Sequence, residues 1–243
     1  MRAWRAGLAP YDDVTSAAVA DDQEHMCRDL PGLWRDVPLA EGLSTLSTLG
    51  PDQIRLVLPA PGDPRGLPGP GEFSKAALLA GEGVIAGDIG LAPSATEHRS
   101  GSGDTWHTVM WTAYSLPDEA PAATDALSPA EAEAELTAAL GESTDQLMAL
   151  QVDRWRPELA DALRALRRGD ADFELPPGYD PRSRRLHARA SVLDQVLALA
   201  ELDPVGGAVN AYEAQQRALS LRPLATACRR ALVAACNAPL TPP

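Results

Sequence analysis

Arg65, Gly71 and Lys75 are the residues whose types and spacing come nearest to a small-molecule site in this chain. They fall in and just after PAPGDPRGLPGPG (Pro59–Gly71), thirteen residues holding five prolines and four glycines. Before the stretch, Gln53–Leu58 alternates like a strand; after it, Glu72–Gly81 reads as a short helix. Strand, glycine-rich loop and helix is the layout of phosphate cradles, where backbone N–H groups and a helix N-terminus hold an anion. Lys75, the only lysine, comes one turn into that helix, and Arg65 lies in the loop. Against this, the glycines at 62, 66, 69 and 71 match neither GxxxxGK[ST] nor GxGxxG, and five prolines remove five N–H donors. The leading reading is a structural crossover, with the anion site second. Proline fixes φ, glycine opens positive φ, and each residue before a proline is held out of the helical region, so the loop takes one stiff path.

A second basic group lies near the start of a later helix. Arg182, Arg185 and Arg189, at i, i+3 and i+7, share a face, with Arg184 beside them. Positive charge there opposes the helix dipole, so something must offset it. One reading is an anion or acidic-partner site, since arginine takes carboxylate or phosphate with two donors. The favoured reading is pairing with Glu131, Glu133 and Glu135 on a neighbouring helix.

Other polar residues carry less. His107 lies opposite Trp106 on a strand, with Asp104 and Asp88 as topological neighbours, and reads as structural or solvated; His187 beside the arginines is similar. Ser102 in GSGD lacks the GxSxG context of a nucleophile elbow. Asp12-Asp13 and Asp21-Asp22 read as solvated charge. His25 and Cys27 lack further ligands at metal spacing, so no metal site and no catalytic residue is assigned, and the cofactor is left unknown. Cys228 and Cys236 are eight apart on one helix, about 12 Å along its axis, too far to bridge. Three cysteines without a CxxC pair suit a reducing compartment.

These residues need elements to hold them. Residues 1–38 read as irregular and partly helical, with a helix within Asp12–Leu30 and with Trp4 and Trp34 as anchors. Residues 39–116 form a small α/β sheet unit around the 59–71 loop. It starts with a helix at Leu39–Leu49 whose Leu39, Leu43 and Leu46 share a face. Strands follow at Gln53–Leu58, Gly83–Leu91 and Trp106–Tyr114; Gly87 and Gly90 mark a bulge or a close backbone approach, and GSGD turns a hairpin. The order is β-α-β-β, with the first two strands parallel through a right-handed crossover. Residues 117–127 are an acidic linker.

About five helices fill 128–238. Ser128, Pro129 and Glu131 make a capping box, Gly141 ends that helix, and Ser143 with Gln146 opens a longer one that Pro157 kinks. Asp180-Pro181 starts a helix with the stripe Leu186, Ala190, Leu193, Leu197 and Ala200. Ala208–Leu221 and Pro223–Asn237 follow, and the tail from Ala238 frays.

Composition bounds the function. The chain has 243 residues, 45% of them hydrophobic, and a net charge of −13, which argues against nucleic acid and anionic membrane as partners. The acidity is uneven, −15 over 1–150 and +2 over 151–243, a pattern that suits docking or a partner site on the basic half. No apolar leader or 18-residue apolar run is present, so the protein is expected in the cytoplasm. The expectation is an α+β protein with a small mixed sheet and a helical part whose helices can cover the sheet to form one unit. Its function is a non-enzymatic binding or adaptor role toward a protein or a small anionic ligand. The alternative is an enzyme acting on an anionic or phosphorylated metabolite at Arg65 and Lys75. A homo-oligomer through the Ala/Leu helices is a third arrangement.

Overall fold

The sheet is wider than the periodicity predicts. The computed structural model describes residues 1–19, 24–117, 126–149, 174–202 and 211–241, with backbone only at 146–149, 199–202 and 211–218. Within it, β1 (Glu24–Arg28), β2 (Val37–Pro38), β3 (Ile54–Val57), β4 (Gly83–Ala86), β5 (Ile89–Arg99) and β6 (Thr105–Ser115) form one mixed sheet in the order β2-β1-β6-β5-β4-β3. Seven helices accompany it among the described residues. They are α1 (Arg2–Arg5), α2 (Tyr11–Val19), α3 (Leu39–Thr45), α4 (Glu72–Ala80), α5 (Pro129–Ala149), α6 (Pro181–Leu202) and α7 (Ala211–Asn237). The protein is α+β. It divides into two compact units, Met1–Ala126 with Pro176–Gly178 and Pro239–Pro243, and Leu127–Leu175 with Tyr179–Ala238. No helix among the described residues is long and apolar enough to cross a membrane.

Three expectations for the sheet need correction. The N-terminal stretch supplies two strands besides helices. Only β1 alternates, burying His25 and Cys27, and at five residues it is too short to announce itself beside charged ends. The β3–β4 pair is antiparallel, Val57 standing opposite Gly83. The loop carries the chain away and α4 brings it back to the end it left, so no crossover is made. Third, Gly83–Leu91 is two strands. Gly87, at φ 64°, turns the chain in the two-residue hairpin that sets Ala86 opposite Ile89. The GSGD hairpin is as expected, pairing Arg99 with Thr105.

Each face of the sheet has its own core. On one, Leu39, Leu43 and Leu46 of the α3 region cover Cys27, Ala86, Leu91 and Ala113. The helix comes so close that a Cβ on Gly42 would lie 2.6 Å from the Cys27 sulfur. On the other, Phe73 and Ala77 of α4 cover Val57, Ile85 and Ala92. The Phe73 ring lies on bare backbone at Gly90, where a Cβ would fall 2.4 Å from it; this is the close approach the sequence marks.

In the second unit three helices meet around Leu136, Leu186, Leu224, Cys228 and several buried alanines. The Ser128–Glu131 capping box forms, with Ser128 N–H donating to Glu131 Oε2 (2.9 Å) and Glu131 N–H to Ser128 Oγ (3.3 Å). Gly141 does not end α5, and Ser143 is no cap. The helix runs on because Ala139 and Ser143 face the core on either side of an exposed glycine, and burial outweighs the ~1 kcal/mol that glycine costs in a helix. Nor does Pro223 split α7: buried Ser220, Leu224 and Ala227 hold both sides of it to the core, while the Ser220 carbonyl accepts the Ser143 hydroxyl (2.9 Å). Ala238 is buried at the end of this unit, and within the first unit Thr241 N–H donates to the Gly178 carbonyl (2.8 Å), so the tail is tied rather than frayed at its start. The stripe of α6 is buried at Leu186, Ala190 and Leu197. Leu150 to Leu166, Pro157 and much of the Asp170–Tyr179 loop lie outside the described residues.

Candidate functional site

The 59–71 loop is a chain of tight turns. Ala60 and Asp63 exchange backbone hydrogen bonds (3.0 and 2.8 Å) around Pro61-Gly62, with Gly62 at φ 84°. Proline then glycine at positive φ are what a type II turn requires. A second turn closes from Leu67 N–H to Pro64 O (3.3 Å) over Arg65-Gly66, with Gly66 at φ 82°. Arg65 points its Nε at Asp63 of the same loop (3.4 Å), and Lys75 Nζ reaches Glu72 one turn back (2.7 Å). Each cation thus faces its own acidic neighbour, and both side chains are well exposed. Gly71 is the residue before α4, with extended backbone, no side-chain cap and open space where a Cβ would stand.

The arginines of α6 are spread over several partners. Arg182 Nε lies 3.5 Å from Glu133, Arg189 donates to Thr137 Oγ1 (3.1 Å), Arg184 meets Glu174 (2.5 Å), and Arg185 is exposed. Glu131 is engaged in its own cap, and Glu135 pairs with Arg230 of α7. The opposing charge at the start of α6 is offset by Asp180. It accepts the N–H groups of Arg182 (2.9 Å) and Ser183 (3.2 Å), and the Ser183 hydroxyl, with those N–H bonds, holds its carboxyl below the usual range.

His25 joins β1 to β6. Its Nδ1 accepts the Trp111 indole N–H (3.1 Å), and because indole only donates, the neutral ring carries its proton on Nε2. Glu82, between α4 and β4, is exposed, yet it is crowded enough that desolvation raises its carboxyl above the usual range. Burial pushes the Cys27 thiol up to about 11 and that of Cys228 to about 12, so neither is poised as a nucleophile. None of the three cysteines is in a disulfide. His107 stands opposite Glu97 (3.8 Å), and Ser102 donates to Asp104 (2.6 Å) inside its turn. Among the described residues no group of three or more His, Cys, Asp and Glu is placed to hold a metal ion.

The loop between β1 and β2 is the feature that sequence reasoning missed. Cys27 pairs with Val37, which sets Arg28 against Asp36 at the mouth of the loop. Their contact is a fork: Arg28 Nη2 to Asp36 Oδ2 at 2.7 Å and Nε to both oxygens at 3.2 Å. That hydrogen bonding holds the Asp36 carboxyl below its usual range. Leu33 N–H closes on Leu30 O (3.0 Å) around Pro31-Gly32, with Gly32 at φ 80°, again a proline–glycine turn. Leu30 is buried in the α3-side core, and Arg35 Nη2 clamps both oxygens of Glu41 on α3 (2.9 and 3.1 Å). Between these ties Trp34 is wholly exposed, at 101% of its reference area, so it is no anchor of the core. Trp4, by contrast, packs on Tyr11 at 5.0 Å. The tryptophan was visible in the sequence, but its exposure was not, because a Leu-Trp pair among prolines reads equally well as core.

Two family descriptions match the chain. "Rv1486c-like protein, N-terminal domain" covers residues 1–127 and "Rv1486c-like protein, C-terminal domain" covers 130–233. A protein of Mycobacterium tuberculosis (strain ATCC 25618 / H37Rv) described as "Uncharacterized protein Rv1486c" is 31% identical over 276 aligned positions, which take in 97% of this chain and 93% of that one. No solved structure matches.

Proposed function

The chain belongs to the Rv1486c-like family, and from that footing we propose that it is a non-enzymatic binding protein that engages a protein partner through Trp34. The observation that carries the reading is a fully exposed tryptophan on a loop braced at its mouth, foot and flank by Arg28–Asp36, Leu30 and Arg35–Glu41. Tryptophan is the residue most enriched at interface hot spots, and a loop already rigid loses little entropy when it docks. The strongly acidic chain favours a basic partner in long-range encounter. Three cysteines outside disulfides support a reducing compartment, and the proposal places the protein in the cytoplasm.

The test pairs wild type with Trp34→Ala. A protein captured from extract by the wild type is purified, and its affinity for both forms is measured by calorimetry. Loss of about thirtyfold or more on substitution is expected of a hot spot. Equal affinity for the two forms would remove Trp34 from the interface and the reading with it.

A second reading keeps Arg65, Gly71 and Lys75 as a site for an anionic metabolite. It is favoured by the nine-residue α4 starting without a side-chain cap beside open space at Gly71. Each cation's acidic neighbour weighs against it. A rise in melting temperature with nucleotides, sugar phosphates or carboxylates, lost in Arg65→Ala or Lys75→Ala, would establish it. The arginines Arg182, Arg185 and Arg189 remain a weaker candidate of the same kind.

A further inference from the structure

The β5–β6 pair outruns the sheet that holds it. β4 meets β5 only from Ile89 to Leu91, and β1 meets β6 only from Thr108 to Thr112, while β5 and β6 stay paired out to Arg99 and Thr105. Among the described residues the distal hairpin is therefore a two-stranded arm, and two strands alone are marginal in water. Its free edge can be read from the alternation of the ladder. Ser100 N–H donates to Asp104 O (2.9 Å) and Leu116 N–H donates to Asp88 O (2.8 Å), so the even-numbered residues of β5 turn their backbone groups toward β6. The odd-numbered ones turn the other way. Ile89 and Leu91 meet β4 there, and Pro93, with no N–H, closes that ladder. Ala95, Glu97 and Arg99 then present backbone donors and acceptors to a side where no strand pairs among the described residues, and all three are exposed.

We propose that a second copy of this chain pairs antiparallel along this edge, with its two-fold axis at His98. A two-fold perpendicular to the sheet places a residue on the axis, and charge selects which one. With Glu97 on the axis, Glu97 would meet its own copy. With Thr96 there, Arg99 would stand opposite Pro93, which cannot donate. With His98 there, Glu97 of each copy stands opposite Arg99 of the other, and both residues point their backbone outward, so each such pair exchanges two backbone hydrogen bonds. The segment Glu97-His98-Arg99 is its own antiparallel complement in charge. Among the described residues Glu97 forms an ion pair only with His107 on its own hairpin, at 3.8 Å, and keeps an exposed side chain for the pairing. The edge is short, so the association is concentration-dependent rather than obligate.

Sedimentation equilibrium across a wide concentration range tests this, with melting temperature confirming that each variant folds. Glu97→Arg and Arg99→Glu each set like charges opposite one another at both contacts, and each should weaken the dimer about tenfold. The double variant E97R/R99E restores the complement with its signs exchanged and should recover the wild-type constant. A chain monomeric at every concentration overturns the proposal, even if the arm takes up an unrelated peptide strand. So does a dimer that both single reversals leave unchanged. Neither result touches Trp34, which lies on another loop.

Discussion

The loop at 59–71 and the loop at 29–36 both turn on a Pro-Gly pair with the glycine at positive φ, yet they dispose of their side chains in opposite ways. The longer one turns inward. Pro59 is buried at its start, Leu67 packs on the α4-side core, and Arg65 is matched by Asp63 within the loop. The shorter one uses its ion pairs as braces and leaves its largest apolar side chain in water. A proline–glycine turn therefore says how the chain path is stiffened and nothing about what the path presents. That is decided by which residue stands next to the turn and whether a strand face lies beneath it.

The largest expected effect breaks the comparison on the side of the longer loop. Phe73→Ala empties the contact between α4 and the bare backbone at Gly90, and it should cost about 3–5 kcal/mol in chemical denaturation. Partner affinity in the folded fraction should not change, because Trp34 is braced from the other face of the sheet. Leu30→Ala is the matching cut on the shorter loop. It should cost about 2–3 kcal/mol and, unlike Phe73→Ala, also weaken the Trp34 contact, since the foot of that loop is removed. Equal effects of the two on partner binding would mean that the loops are not distinct devices.

Legibility in the sequence followed the length of each signal. β6 and the capping box at Ser128 announce themselves because β-branched and aromatic residues, or a cap with its partner three residues on, act locally. Gly141 and Pro223 mislead for the converse reason: each is a local breaker overridden by core contacts on both sides, which only the folded unit supplies. β1 and β2 are short, and what makes them strands is long-range pairing: β1 with β6, some 84 residues away for His25 and Val109, and β2 in turn with β1. The site residues divide in the same way. The spacing of Arg65, Gly71 and Lys75 is local, and so are Asp63 and Glu72, two and three residues before the cations, while Trp34 depends on three tertiary ties that no spacing encodes.

Acid should loosen the shorter loop, because its mouth is braced by a carboxylate. Arg28 holds Asp36 below its unfolded value of about 3.9, so the brace is fully present above that value and fades as pH falls through the folded one. Both side chains are exposed, and the effect is local rather than global. The Arg28 Nε–H resonance should be sharp at neutral pH and lost in acid, and Asp36→Asn should show the acid behaviour at neutral pH. A resonance insensitive to both would leave Leu30 and Arg35 as the only ties that matter.

The smallest expected effect is a gain, and it separates the two readings of the longer loop. Gly71 precedes α4 in extended backbone that any residue adopts, with nothing within 4 Å of a Cβ and no side-chain cap on the helix. Gly71→Asp supplies an oxygen to the first N–H groups of α4 and a negative charge at the positive end of its dipole. It should raise stability by roughly 0.5 kcal/mol, seen as a small rise in melting temperature. If the loop is only a stiff connection, the variant gains this increment and binds partner as before. If the α4 N-terminus receives an anion, the carboxylate occupies the same donors, and any ligand-induced rise in melting temperature disappears. The same substitution thus strengthens a helix cap and blocks a ligand site, and comparing the melting temperatures with and without ligand tells which of the two the uncapped end of α4 is.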